Sequence, residues 1–150
     1  MDGLDRKILA LVQSDSRITI QELAERTGAS TASVQRRLRA MREAGTIKRE
    51  VALLDQQALG LGITAVVSVD LERDSVEQTE TFKRKAKNDP HVTNFYCIAG
   101  DSDFVMIVVA KNIQDYEAFT QRFFFADKNV RKFRTSIVVS TVKATLEMPL

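Results

Sequence analysis

The chain has 150 residues, 44% hydrophobic and 28% charged, with six glycines and two prolines; this bounds it to one folded domain or two small ones and argues against disorder. No run approaches the roughly 18 apolar residues that span a bilayer. The opening MDGLDRKILALVQSD also lacks the basic start and small-residue cleavage site of a signal peptide, so a cytoplasmic protein with no membrane partner is expected. Net charge is only +2, but the basic excess is local: residues 1–50 carry ten Lys/Arg against seven Asp/Glu, and from Arg36 to Arg49 six bases meet a single acid, Glu43.

Leu4, Ile8, Leu11 and Val12 recur at helical spacing and predict a first helix. Thr19, with Glu22 three residues on, has the form of a capping box. It opens a short helix that buries Ile20, Leu23 and Ala24 and ends at Gly28, where a left-handed glycine is expected. Ser30 is the N-cap of a third helix, TASVQRRLRAMREA, stopped by Gly45, with Val34, Leu38 and Met41 on one stripe. A short helix, a glycine-containing turn and a longer helix form helix-turn-helix spacing, in which the second helix of the pair enters the DNA major groove. The small residues Ser30, Thr31, Ala32 and Ser33 allow close approach at the start of that helix. Gln35 suits adenine, and Arg36, Arg37 and Arg39 suit guanine or phosphate. Arg42, Lys48 and Arg49 fall where the DNA backbone would run. The predicted partner is double-stranded DNA. The blander alternative, a solvated basic face, is disfavoured by the capped helix that precedes it and by the scarcity of acids.

TIKREVALLD (46–55) is β-permissive, and QQALGLG after it reads as a linker. ITAVVSVDLE (63–72) reads as a strand. Residues 75–89 read as a helix with Ser75 at its N-cap, Val76, Phe82 and Ala86 on one side, and Pro90 just beyond its end. HVTNFYCIAG (91–100) and DFVMIVVAK (103–111) are strands joined by a turn; one reading of that turn is a plain hairpin in which glycine and aspartate supply unusual backbone angles, and the other is a turn that faces a ligand. Residues 112–127 form a helix with Ile113, Tyr116, Phe119 and Phe123 inward, and 129–144 a long final strand. The order β-α-β-β-α-β is the ferredoxin-like pattern. Two helices cover one sheet face, and the apolar residues of the other face call for self-association. RFFFAD (122–127) is assigned to core or interface.

The fold class is therefore α+β: an N-terminal winged helix-turn-helix domain (1–45), a β-strand and linker (46–62) and a C-terminal ferredoxin-like domain (63–150). Catalysis would have to be built on the only histidine, His91, expected to be exposed, or the only cysteine, Cys97, expected to be a small core hydrophobe. One cysteine excludes an intrachain disulfide, and Asp101 and Asp103 have no third acid nearby for a hard cation. No enzyme activity, metal or cofactor is expected.

The stretches LDRKILALVQSDSRIT, ELAERTGAS, VQRRLRAMREAGTIKRE, VALLD, IAGDSDF and VVSTVKATLEMPL, in that order across nearly the whole chain, resemble the Lrp/AsnC family, the leucine-responsive or feast/famine regulators. The resemblance implies a sequence-specific transcription regulator with its DNA-reading helix at 31–43. It implies a strand near 47–55 that helps pair two chains, and homodimers assembling further, up to octamers. It also implies a small-molecule effector, usually an amino acid, held between C-terminal domains by the turn Ala99, Gly100, Asp101, Ser102, Asp103 and Phe104 and by Thr135 and Ser136 of the last strand. Ser102 stands where the family commonly has an aromatic residue, Phe133 where many members have threonine and Phe104 where tyrosine is frequent; these departures bear on the effector's identity. The alternative is an effector-independent architectural DNA-binding protein.

Overall fold

Helix α1 (Gly3–Ser14) starts on a reciprocal capping box: the Asp2 carboxylate accepts the Asp5 amide at 2.9 Å and the Asp5 carboxylate accepts the Asp2 amide at 2.8 Å. The computed structural model describes residues 1–72 and 75–150. In α2 (Ile20–Thr27) the box expected at Thr19 is half formed. Thr19 Oγ1 accepts the Glu22 amide at 3.1 Å, while the Glu22 carboxylate lies 3.8 Å from Arg26. Gly28 ends α2 at φ 70°, and Ala29 donates back to the Ala24 carbonyl at 3.1 Å. A Cβ at Gly28 would meet nothing within 4 Å, so Gly28→Ala costs only the left-handed backbone penalty. The expected loss is about 1 kcal/mol, read as a lower urea midpoint at unchanged slope.

Ser30 caps α3 (Thr31–Glu43) through the Ser33 amide. The three helices close over Ile8, Leu9, Leu23, Ala24, Val34, Leu38 and Met41. This first unit comprises Met1–Leu53 together with the C-terminal Val142–Leu150. That tail is tied to α1 by a reciprocal amide pair: Gln13 Nε2 donates to the Met148 carbonyl at 3.1 Å and Gln13 Oε1 accepts the Met148 amide at 2.9 Å.

Residues 46–55, expected as a strand, form none in this chain. A strand exists only by pairing its amides and carbonyls with a neighbour, and no strand of the described chain lies alongside this segment. Its apolar residues Val51, Leu53 and Leu54 are exposed.

The second unit, Leu54–Thr141, is a four-stranded antiparallel sheet in the order β2-β3-β1-β4. It is built from β1 (Ile63–Leu71), β2 (Val92–Cys97), β3 (Phe104–Ala110) and β4 (Val130–Ile137), with crossover helices α4 (Val76–Asn88) and α5 (Ile113–Thr120). Strand alternation puts Ala65, Val67 and Val69 of β1 and Phe104, Met106 and Val108 of β3 on the helix-covered face, all buried. The rings of Phe82, Phe119, Phe123 and Phe124 fill the space above them, with Phe82 tilted against Phe95 and Phe104 and edge-on to Phe123.

Several expectations change in detail. Val76 and Ile113, expected to face inward, are exposed at the first position of their helices, while Phe82, Ala86, Tyr116 and Phe119 further along are buried. The final strand stops at Ile137 instead of 144. Among the described residues β4 pairs with β1 alone, Ile137 already pairs with Ala65, and β1 starts two residues earlier at Ile63. After α5 the chain continues as a wider π turn, Gln121–Phe125. This change of pitch lets the adjacent Phe123 and Phe124 both point inward and leaves Phe125 exposed.

Candidate functional site

Helix α3 presents Thr31, Ala32, Gln35, Arg36 and Arg39 to solvent, with Ser30 exposed at its cap and Ser33 half-buried. Among the described residues Arg36 takes part in no ion pair, so its charge stands ready for an external anion. Arg39 is paired along the helix with Glu43 at 2.8 Å but is 81% exposed, a weak contact that phosphate could displace. Lys48 and Arg49 are exposed beyond the end of α3, where Arg42 binds Glu50 at 2.7 Å.

Arg37 has a different place from the other arginines. Its Nη1 donates to both Asp2 and Asp5 at 2.7 Å, and its side chain is only 22% exposed. The Asp5 and Asp2 carboxylates raise its pKa further. The Asp5 amide and then Arg37 hold the Asp2 carboxyl below the usual carboxylate range, and the Asp2 amide and then Arg37 do the same for Asp5. Arg37 therefore ties α3 to the first turn of α1. The one sequence signal for this is the Asp2-x-x-Asp5 spacing of a capping box, which places two carboxylates at the start of α1.

In the second unit the β2–β3 turn carries the candidate effector residues. Gly100 does not adopt a positive φ, and no other residue of the turn does, so the unusual backbone angles expected there are absent. The turn is held by Asp103 instead. Its amide donates to the Val69 carbonyl at 3.1 Å, its carbonyl accepts the Ile98 amide at 3.1 Å, and its carboxylate Oδ2 accepts the Leu71 amide at 3.0 Å. One aspartate thus stitches the turn to the end of β1. Asp101, Ala99 and Gly100 are exposed, Phe104 is buried in the core, and Ser102 is buried beneath the turn. Asp103, Phe104, Cys97, Ile98, Leu71, Thr79 and Lys83 line a cavity of about 270 Å³ on the helix side.

Thr135 and Ser136, expected to act together, point to opposite faces of the sheet. Thr135 pairs in register with buried Val67, and its hydroxyl shares a 2.5 Å hydrogen bond with Tyr116 of α5; Ser136 pairs with Val66 on the uncovered face. Burial raises the Tyr116 pKa, opposed by that hydrogen bond. Arg134 was missed by the sequence reading, although strand alternation alone puts it on the same face as Ser136. It reaches across to the turn and donates to Ser102 Oγ at 3.0 Å.

Cys97 is the last residue of edge strand β2 and is exposed, not buried in its middle as expected; it lines the cavity beside Thr79 and Lys83 of α4. His91 is half-buried beside Asp89 and Asp115, at 3.3 and 3.6 Å, with its ring against Phe119, rather than simply exposed. The two stand at opposite ends of β2, roughly 20 Å apart at strand rise, too far for a thiol–imidazole pair within one chain. Among the described residues no group of three or more His, Cys, Asp and Glu is disposed to hold a metal ion, and no helix is long and apolar enough to cross a membrane.

Residues 1–48 match the family model described as winged helix-turn-helix DNA-binding, and residues 64–148 match the Lrp/AsnC ligand binding domain. The leucine-responsive regulatory protein of Rhizobium meliloti is 35% identical over 150 residues, covering 100% of this chain and 96% of its own. A crystal structure of an AsnC family transcriptional regulator from Agrobacterium tumefaciens superposes with a TM-score of 0.95 at 36% identity, covering 99% of this chain and 97% of that one. A Neisseria meningitidis transcriptional regulator, solved as a complex with L-methionine, also superposes at 0.95, with 26% identity and 99% and 96% coverage. A basic, capped helix-turn-helix followed by a βαββαβ domain with a polar hairpin turn, matched over its whole length by such regulators, makes this chain a member of the Lrp/AsnC family of transcription regulators, with a DNA-binding helix-turn-helix and a ligand-binding domain.

Proposed function

We propose that oligomers of this chain bind promoter DNA through α3 and that an amino acid bound at the β2–β3 turn shifts their assembly or their affinity for DNA. The observation that carries the reading is the pairing, in one chain, of an exposed arginine with no ion-pair partner among the described residues, on a capped helix, with an effector-domain turn that exposes Asp101. The L-methionine complex of the Neisseria regulator supports an amino acid as ligand. In this reading residues 1–45 bind DNA, 46–62 link and 63–150 sense and assemble. Thr31, Ala32, Gln35, Arg36 and Arg39 face the groove, and Lys48 and Arg49 the phosphates. An effector regulates only if it binds one assembly or DNA-bound state more tightly than another.

Self-association is supported by two surfaces that need partners. Val51, Leu53 and Leu54 are exposed on a β-permissive segment with no strand beside it among the described residues. Val66, Val105, Ile107 and Val109 lie on the sheet face away from the helices. A second copy that supplies a strand to the first and a sheet to the second would bury both, and higher assemblies up to an octamer would place the turn between chains. The cytoplasm, where promoter DNA and free amino acids meet, is the proposed location.

The test is a gel-shift titration on DNA from upstream of the protein's own gene, across salt concentrations, with and without each of the twenty amino acids. Log affinity is expected to fall with log salt by about 0.9 per phosphate neutralised, and at least one amino acid is expected to shift the curve. Binding that ignores every amino acid would favour the architectural alternative.

A further inference from the structure

On the sheet face away from the helices, Arg134 of β4 sits opposite Ser68 of β1. Its Nη2 donates to Ser102 Oγ at 3.0 Å and its Nε to Ser68 Oγ at 3.4 Å. Ser102 is only 8% exposed, so its hydroxyl anchors the guanidinium from below while the arginine itself stays exposed. Among the described residues no carboxylate lies within 4.0 Å of Arg134. Lys85, Arg131 and Arg122 of this unit are paired, with Asp127 at 2.9 Å, Asp70 at 3.9 Å and Asp89. Lys87, Lys111, Lys128 and Lys132 are unpaired among the described residues, as Arg134 is, but only Arg134 is held by two hydroxyls beside the turn. The remaining donors of the fork, including both on Nη1, are unengaged among the described residues.

A guanidinium held by two hydroxyls, with its charge uncompensated, is a planar donor pair pre-set for a carboxylate. Its position next to the turn adds the opposite charge, because Asp101 directly precedes Ser102 and is exposed. We propose that Arg134 is the specificity residue of the effector site and selects a ligand bearing a carboxylate, while Asp101 takes the ammonium. This rests on the effector reading above and deepens it. Ser102 has a part that an aromatic side chain could not play: its hydroxyl fixes the arginine that meets the ligand. The carboxylate is either the one on the α-carbon or one on the side chain.

The test is calorimetric titration of the full-length protein and of Arg134→Gln with each of the twenty L-amino acids. Every amino acid that binds is followed by its α-carboxamide, and aspartate and glutamate are compared with asparagine and glutamine. In the unaltered protein, removing the recognised carboxylate from the ligand is expected to weaken binding at least about tenfold, the effect of losing a charged hydrogen bond. Arg134→Gln is expected to weaken the parent amino acid equally and to remove the discrimination between acid and amide. Loss on α-amidation assigns the α-carboxylate; loss only between glutamate and glutamine, or aspartate and asparagine, assigns the side chain. The amide comparison uses unaltered protein, so a variant that misfolds does not spoil it.

Equal binding of acid and amide by the unaltered protein overturns the proposal. So does an Arg134→Gln protein that binds as tightly as the unaltered one, whether or not its sedimentation changes; a change there would place Arg134 in a contact between chains. If no amino acid binds the unaltered protein, the effector reading fails, and this inference with it.

Discussion

Replacing Arg36 with alanine is expected to weaken DNA binding by about 1–3 kcal/mol, roughly five- to 150-fold, while leaving the thermal midpoint unchanged. Arg36 is exposed on α3 and has no ion-pair partner among the described residues, so its removal takes nothing from the folded domain. The neighbouring Arg37→Ala is expected to behave in the opposite way. Its guanidinium joins α3 to Asp2 and Asp5, and removing it leaves two carboxylates facing each other at the start of α1. The thermal midpoint of the helix-turn-helix unit should fall, and DNA binding should fall only as far as the folded population does. Gel shifts alone would confuse the two variants; melts run beside them separate the roles. If Arg37→Ala melts like the parent and loses DNA, the arginine reads DNA after all.

Acid gives an independent check on the same clamp. Asp2 and Asp5 titrate below their ordinary value of 3.8 in the folded chain. A carboxyl depressed by folding contributes stability that is fully present above the unfolded value and is lost as pH falls through the lowered folded one. The parent helix-turn-helix should therefore lose stability as pH drops below about 4. Arg37→Ala should show a shallower dependence, because part of the depression is due to Arg37 and the rest to the amides of the capping box.

Asp103→Ala is expected to destabilise the C-terminal unit by about 1.5–3 kcal/mol, the range for a hydrogen bond to a charged group, because the Leu71 amide loses its acceptor. Asp101→Ala, at an exposed position, should leave urea unfolding unchanged and reduce the amino-acid response. The pair of substitutions divides the Gly-Asp-x-Asp turn into a carboxylate that holds the fold and one that meets the ligand. The opposite outcome, a stable but unresponsive Asp103→Ala protein, would return the ligand to Asp103.

Much of this was legible in the chain. The 3.6-residue spacing of Leu4, Ile8, Leu11 and Val12, of Ile20, Leu23 and Ala24, and of Val34, Leu38 and Met41 marked three inward faces; Ile8, Leu23, Ala24, Val34, Leu38 and Met41 are buried, and Leu4, Leu11, Val12 and Ile20 pack half-buried against them. These spacings survive folding because they follow from the geometry of a single helix. The strands at 63–72 and 103–111 could be placed from composition, but apolar residues at both parities left the covered face open; Val67, Val69, Met106 and Val108 are the residues that are buried. Caps are local, as helical spacing is, so Ser30, Ser75 and Gly28 could be placed from sequence.

What the sequence by itself determined is thus the order and type of the elements, the family and the helix that carries the basic face. What the tertiary structure decided is which of several like residues is free to act. Arg36 and Arg37 are adjacent and chemically identical, and only the approach of Asp2 and Asp5 from 32 to 35 residues away makes one a clamp. Asp101 and Asp103 differ because the end of β1 lies against one of them. Thr135 and Ser136 part to opposite faces when β4 takes its register against β1. The stretch 46–55 has strand composition and no strand, since a strand is defined by its neighbour. Each of these depends on contacts between residues distant in the chain, and local spacing carries no record of them.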